Sequence, residues 1–451
     1  MLASGATRNC VAPTSGFLRI FLQEEVTVPQ SLILPVRFRA LVLCALLVLG
    51  LLAAAPASAV NRRAFVTSVA GNGNLFSGSW PGASGATSLD RADSICRARA
   101  TAGGLPNATT YRAWLSTSST DAYCHVQGLT GKKATGCGGG AQPGAGPWYI
   151  QNGITPFSPA LAELTGPGKT TYRPVLMDES GDEPAFEVGA HWTGTTADGE
   201  HDGESCLDWT SSNVAEYGVR GHVQSSARGW TSGASYTCDS PLRLLCLEPG
   251  ASEPFHLGWS PGALAFVSSQ SGQGDLGAWP QAGDATGLAA GDAICRNLAA
   301  AAHLPAPESF VAWLSDATHD ARDRVTVDAS IRRVDHYPIA GSRADLLDGF
   351  ATNSLHVDEN GSHASIQYGV QTGTFADGTA TLDDCDGWTT ASAPFEATFG
   401  QASYARSHRW SEGFANTCNI TRRIYCFSNV VTVFWDGFET GAASRWSSAV
   451  P

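Results

Sequence analysis

The chain has 451 residues and a formal net charge of −13, with 50 Gly, 13 Trp and 12 Cys but only 15% charged residues. That length allows two or three domains, and the apolar and aromatic content excludes a disordered chain. The acidic balance argues against nucleic acid and heparin-like polyanions, while cations and cationic partners stay open.

Arg37 and Arg39 precede an apolar run, Ala40–Ala55, and Ala57-Ser58-Ala59 supplies a small-residue cleavage site. Together they predict a signal peptide cut after Ala59, so that residues 1–59 form a leader and the mature chain begins Val60-Asn61-Arg62. The run is shorter than the roughly 20 residues of a membrane span, so no transmembrane span is expected in the mature chain. Cys44 follows Leu43 rather than the small residue of a lipoprotein site. A signal beginning so far along predicts a start codon at or after Arg37. Removing the leader takes four basic and two acidic residues and leaves a still more acidic protein. The expected location is secreted, periplasmic or cell-surface.

Residues 62–248 read as mixed α and β. A strand at Phe65–Val69 leads through a Gly/Asn/Ser loop to a helix over Leu89–Ala102, with Ser88 as N-cap and Gly103-Gly104 as its stop. Leu89, Ala92, Ile95, Cys96 and Ala100 fall near the 3.6-residue period, which turns the cysteine inward. Short Trp-bearing strands follow, among them Ala113-Trp114-Leu115-Ser116 and the Thr193-Gly194-Thr195 segment. Asp198-Gly199 signals a turn, and the last strand is Arg243–Glu248. Residues 249–262, with three Pro and three Gly, read as a linker. A second unit spans 263–428 and ends in the strand Arg423–Ser428, and 429–451 form a tail.

The second unit repeats the first in order. Phe65-Val66-Thr67-Ser68 recurs as Phe266-Val267-Ser268-Ser269, and Ala92-Asp93-Ser94-Ile95-Cys96 as Gly291-Asp292-Ala293-Ile294-Cys295. Ala113-Trp114-Leu115-Ser116 recurs as Ala312-Trp313-Leu314-Ser315, Thr193–Gly199 as Thr372–Gly378, Cys206-x-x-Trp209 as Cys385-x-x-Trp388, and Trp230 as Trp410. Cys96, Cys206, Cys238 and Cys246 are 110, 32 and 8 positions apart, and Cys295, Cys385, Cys418 and Cys426 are 90, 33 and 8 apart. The first unit's extra length holds two unmatched cysteines, Cys124 and Cys137, expected to bridge each other across a Gly-rich loop. In an exported chain such cysteines read as disulfides, and the close pairs of a zinc site are missing.

The Phe-Val-Thr-Ser strand, Ala-Asp-x-Ile-Cys helix, Ala-Trp-Leu-Ser, Thr-Gly-Thr, Cys-x-x-Trp and closing cysteine pair, in that order and twice over, resemble the bacterial endostatin-like domain family of the C-type lectin-like fold. The resemblance implies an α+β fold of two tandem lectin-like domains with nested bridges: Cys96–Cys246 and Cys206–Cys238, then Cys295–Cys426 and Cys385–Cys418. It also implies binding of an extracellular protein or glycan. The sugar-reading triplets and the Trp-Asn-Asp run of calcium-dependent lectins are missing, and Glu183-Pro184-Ala185 lacks the carbonyl ligand. Asp436-Gly437-Phe438-Glu439-Thr440-Gly441 is similar to a C-terminal motif of exported bacterial proteins.

Candidate chemistry is sparse. Gly258-Trp259-Ser260-Pro261-Gly262 matches the nucleophile-elbow pattern, but a Pro-rich linker offers neither the strand before nor the helix after. The acidic stretch Glu200–Glu204 and its counterpart Asp383-Asp384 offer calcium the carboxylate oxygens it takes, with Asp202, Glu204, Asp383 and Asp384 as the candidate ligands. Asp178-Glu179-Ser180-Gly181 and Asp358-Glu359-Asn360-Gly361 read as turns. The repeated tryptophans read as core, and the eleven histidines form no metal motif. The expectation is a non-catalytic, adhesin-like binding protein without an obligatory cofactor. An envelope spacer is the alternative, ahead of a cryptic enzyme on the same fold.

Overall fold

The computed structural model describes residues 61–433, except 256 and 364–368. The leader with its cleavage site at Ala59 and the tail motif after Val433 lie outside the described residues.

The chain is α+β, with two mixed eight-stranded sheets. The first contains β1 (Arg62–Val66), β2 (Arg112–Ala113), β3 (Trp148–Ile150), β4 (Pro156–Ser158), β5 (Ala190–Trp192), β6 (Tyr217–His222), β7 (Ala234–Thr237) and β8 (Arg243–Leu247), in spatial order β4-β3-β1-β8-β5-β6-β7 with β2 also on β8. The second contains β9 (Ala263–Val267), β10 (Phe310–Ala312), β11 (Ile331–Arg333), β12 (Pro338–Ala340), β13 (Val370–Gln371), β14 (Glu396–Gly400), β15 (Phe414–Thr417) and β16 (Arg423–Ser428). Its order is β12-β11-β9-β16-β13-β14-β15, with β10 on β16.

The central strands read as unbroken apolar runs because both sheet faces are covered. In β8, Leu244 and Cys246 face one core cluster while Leu245 and Leu247 face another. In β16, Ile424 and Cys426 face one cluster and Tyr425 and Phe427 the other. The first face of each sheet meets a long helix, α1 (Ser88–Ala102) or α2 (Gly287–Ala301). Period 2 on the strand and period 3.6 on the helix bring Cys246 to Cys96 and Cys426 to Cys295, with Cα separations of 5.6 and 5.5 Å. Cys206 joins Cys238, Cys385 joins Cys418, and Cys124 joins Cys137. Each outer bridge closes a loop of more than 130 residues, which in the chain-entropy model contributes about 4–5 kcal/mol.

Three local expectations are corrected. The N-cap of α1 is Thr87, whose hydroxyl accepts from the Asp90 N–H while the Asp90 carboxylate accepts from the Thr87 N–H; Ser88 is already helical. The first strand begins and ends about three residues earlier than the sequence suggests. The Thr-Gly-Thr segments follow β5 and β13 rather than forming strands, because Gly194 and Gly373 both take φ of 57° and turn the chain. The aspartate of each helix motif is structural: Asp93 Oδ1 accepts from the Ala113 N–H at 3.0 Å, and Asp292 Oδ1 from the Ala312 N–H at 2.9 Å. Trp114 and Trp313 are wholly buried, packed on Trp230 and Trp410 at 5.0 and 5.1 Å. Among the described residues no helix is long and apolar enough to cross a membrane.

Candidate functional site

The Cys-x-x-Trp motifs hold runs of four consecutive residues at positive φ, with four non-glycine residues in the first and three in the second. Cys206, Leu207, Asp208 and Trp209 have φ of 51, 54, 55 and 64°, and Cys385, Asp386, Gly387 and Trp388 have φ of 55, 56, 64 and 64°. Each is a single left-handed helical turn, which costs about 1–2 kcal/mol per non-glycine residue. Such strain persists only where the surroundings over-determine it. Here a disulfide holds the first residue, and the indole of the last is buried with its N–H on the carbonyl of Ser116 or Ser315, 2.7 Å away in both halves. Ser205 and Asp384 cap the turns by accepting from the N–H groups of Asp208 and Gly387. The two middle residues are thereby pushed outward, and Leu207 is 61% exposed.

A cleft flanks the segment entering each turn. The first, of about 510 Å³, is lined by Ser118, His201, Glu204, Leu207, Asp208 and Tyr217, among others. The second, of about 400 Å³, lies against the corresponding segment Thr381–Asp383 but faces β14 and β15, with Phe375, His408, Glu412 and Phe414. Both fall in the size range of small-ligand sites. Their rims carry apolar side chains in water: Leu207 and Tyr217 at the first, Phe375, Phe414 and the fully exposed Leu382 at the second.

The electrostatics differ between them. At the first, burial works against the charged form of Asp208, but hydrogen bonds from the Ser118 hydroxyl, the Ser118 N–H and the Ser205 hydroxyl outweigh it and hold the carboxyl below its ordinary range. Burial, then the neighbouring Glu204, pushes Asp202 up. Burial, then Lys132, lowers His201. His201 Nε2 lies 3.0 Å from Ser205 Oγ, which donates to Asp208. This hydrogen-bond chain places serine between histidine and carboxylate, whereas a nucleophile triad places histidine between the other two. The corresponding second-half residues are Ala380, Asp384 and Gly387, which cannot reproduce it. At the second cleft, Thr398 donates to Thr381 and the Glu412 carboxylate accepts from the Ala376 N–H.

The calcium candidates divide by role. Glu204 and Asp383 line the clefts, the exposed Asp202 lines neither, and the carboxylate of Asp384 caps its turn. Among the described residues no group of three or more His, Cys, Asp or Glu is placed to hold a metal ion.

The bridged loop from Cys124 to Cys137 braces the approach to the first cleft. Asp121, nearly wholly buried, accepts from the backbone N–H groups of Lys133 and His201 and from Lys132 Nζ. Lys133 Nζ reaches the carbonyls of Asp198 and Thr165. Of these links Asp320 repeats only the one made to His201, accepting from the Ala380 N–H. The recurrent Glu179 and Glu359, read as turn residues, are buried, and each clamps a serine that follows the first strand of its sheet (Ser68 or Ser269) through the N–H and hydroxyl. Residues 258–262 run directly into β9 with no helix after the serine. No family model and no curated protein matches the chain.

Proposed function

We propose that this chain is an exported, non-catalytic binding protein, with two tandem endostatin-like units of the C-type lectin-like fold presenting their clefts to an extracellular glycan or protein. The observation that carries this reading is an apolar-rimmed cleft lying against the segment that enters a strained, disulfide-held turn in both halves. Leu382, wholly exposed beside Phe375 and Phe414, gains nothing from water and stands where a ligand face can cover it. Exposed aromatic and aliphatic side chains beside carboxylates and hydroxyls suit a sugar, whose C–H face packs on the former while its hydroxyls bond to the latter. The same rims suit a protein loop. The same strand order in both sheets, the nested cysteine pairs and the ordered sequence motifs support two units of one kind.

The test is a glycan and matrix-protein array probed with the mature protein and with Leu382→Asp. A hit on the parent that is lost with Leu382→Asp supports the reading. An array without hits, with the protein folded, favours the spacer role instead.

A further inference from the structure

The two halves meet through a short piece of backbone that pairs with its own counterpart. In the first half the segment runs from Gly221, next to the end of β6, to Ala227; in the second it runs from Gly400, the end of β14, to Arg406. Both glycines press on a tryptophan carbonyl, where an added Cβ would lie 1.9 Å from Trp230 O or Trp410 O. Six residues later, Ala227 and Arg406 both take left-handed φ of 52 and 54°. Position by position, Gln224, Ser225 and Ser226 therefore correspond to Ser403, Tyr404 and Ala405.

These segments bond reciprocally. The Ser226 N–H donates to Ser403 O at 2.7 Å and the Ala405 N–H donates to Gln224 O at 2.9 Å, around an antiparallel bridge between Ser225 and Tyr404. Residue i of one half meets residue j of the other, and j meets i, which is the signature of an isologous contact. All six residues are buried.

The side chains around this backbone are not symmetric, and their asymmetry is complementary. Arg406 Nε lies 3.5 Å from Glu183, and Thr171 Oγ1 lies 3.3 Å from His356 Nε2. By the same correspondence Arg406 replaces Ala227, His363 replaces Glu183, Ala351 replaces Thr171 and His356 replaces Leu176. Two second halves placed together would set Arg406 against His363 and leave His356 facing Ala351. Two first halves would leave Glu183 facing Ala227 and Thr171 facing Leu176. Only the mixed pair makes these two contacts, although within their own halves Glu183 keeps Arg173, Thr171 keeps the Ala227 N–H and His356 keeps Ser354 and His363.

We infer that the surface around Ser225 and Tyr404 is a unit–unit recognition face whose partner is the opposite half, and that it holds the halves together without help from the linker. The protein then offers its two clefts from one body rather than from two tethered beads.

A protease site inserted after the exposed Gly258 tests this on the full chain. The nicked protein should sediment as one particle holding both halves at 1 µM. In it, Ser225→Arg should weaken association at least tenfold. Halves that separate at 10 µM with their circular dichroism unchanged would overturn the inference, as would a folded nicked Ser225→Arg protein that associates undiminished. Should that variant fail to fold, hydrogen exchange on the intact parent decides: slow exchange at the Ser226 and Ala405 amides supports the face, and exchange at loop rates overturns it. After dilution and reconcentration, native mass spectrometry should show mixed pairs only; pairs of like halves in comparable amount would refute the side-chain selectivity.

Discussion

Acidification should unfold this protein through its buried histidines before its carboxylates protonate. His191 is fully enclosed and donates through Nε2 to the Trp230 carbonyl, 2.8 Å away. His222 has its Nε2 on the Phe186 carbonyl at 2.9 Å, while its Nδ1 accepts from the Gln224 N–H at 3.2 Å, so the neutral ring is already satisfied at both nitrogens. Burial pushes His191 down to about 3 and His222 down to about 4, and Arg220 and Arg409 add to the effect at His222. Unfolded histidines titrate near 6.5, so between that value and the folded one the unfolded chain binds the extra proton and stability falls as pH falls. For a folded value near 4, lowering the pH from 7.5 to 5.0 removes about 2 kcal/mol, at 1.36 kcal/mol per unit, and His191 removes a similar amount. His356 and His363, both held down by burial, act in the same direction. Asp202, raised by burial, acts in the opposite one. Urea denaturation with disulfides intact, at pH 7.5 and 5.0, measures the drop. His222→Gln keeps an amide donor but cannot titrate, so it should reduce the pH-dependent loss by about 2 kcal/mol. An unchanged loss in that variant would refute the assignment.

Leu207→Ile, at a well exposed position where surface changes ordinarily fall within about 0.5 kcal/mol, should cost at least about 1 kcal/mol, because a β-branched residue is poorly tolerated at φ of 54°. A neutral result by thermal denaturation would deny the left-handed turn. Asp93→Ala should cost about 3 kcal/mol by urea denaturation, since it strands the Ala113 N–H, the Arg112 cation and the buried His125 ring nitrogen that the carboxylate serves. Asp121→Ala should loosen the bridged loop and the His201 amide together, read as faster hydrogen exchange at Lys133 and His201, with the Ala380 amide of the second half unaffected.

The cysteine order, the helix that carries each first cysteine and the apolar closing strands were legible because each is a local pattern with one sensible use. Cys96 shows its inward face through the spacing of Ala92, Ile95 and Ala100 alone. The left-handed turns were not legible: nothing in Leu207-Asp208 asks for positive φ, and only the distant Cys238 and Ser116 impose it. Gly387 was the one available hint. Glu179 read as a turn residue because its partner, Ser68, lies 111 positions away. The acidic stretch before Cys206 was visible, but that Glu204 lines the cleft while Asp202 lies outside it depends on packing that composition does not encode. Ser225 and Tyr404 carry no sequence signal at all, since their pairing is made by backbone groups every residue possesses.

The most direct measurement is the equilibrium affinity of an array-identified ligand for three proteins: the parent, Leu382→Asp, and Ile154→Asp as a control at another exposed apolar side chain, 79% accessible and outside both clefts. Binding through the second cleft predicts at least a tenfold loss for Leu382→Asp and none for Ile154→Asp. Equal affinities for all three, or equal losses in both variants, would contradict it.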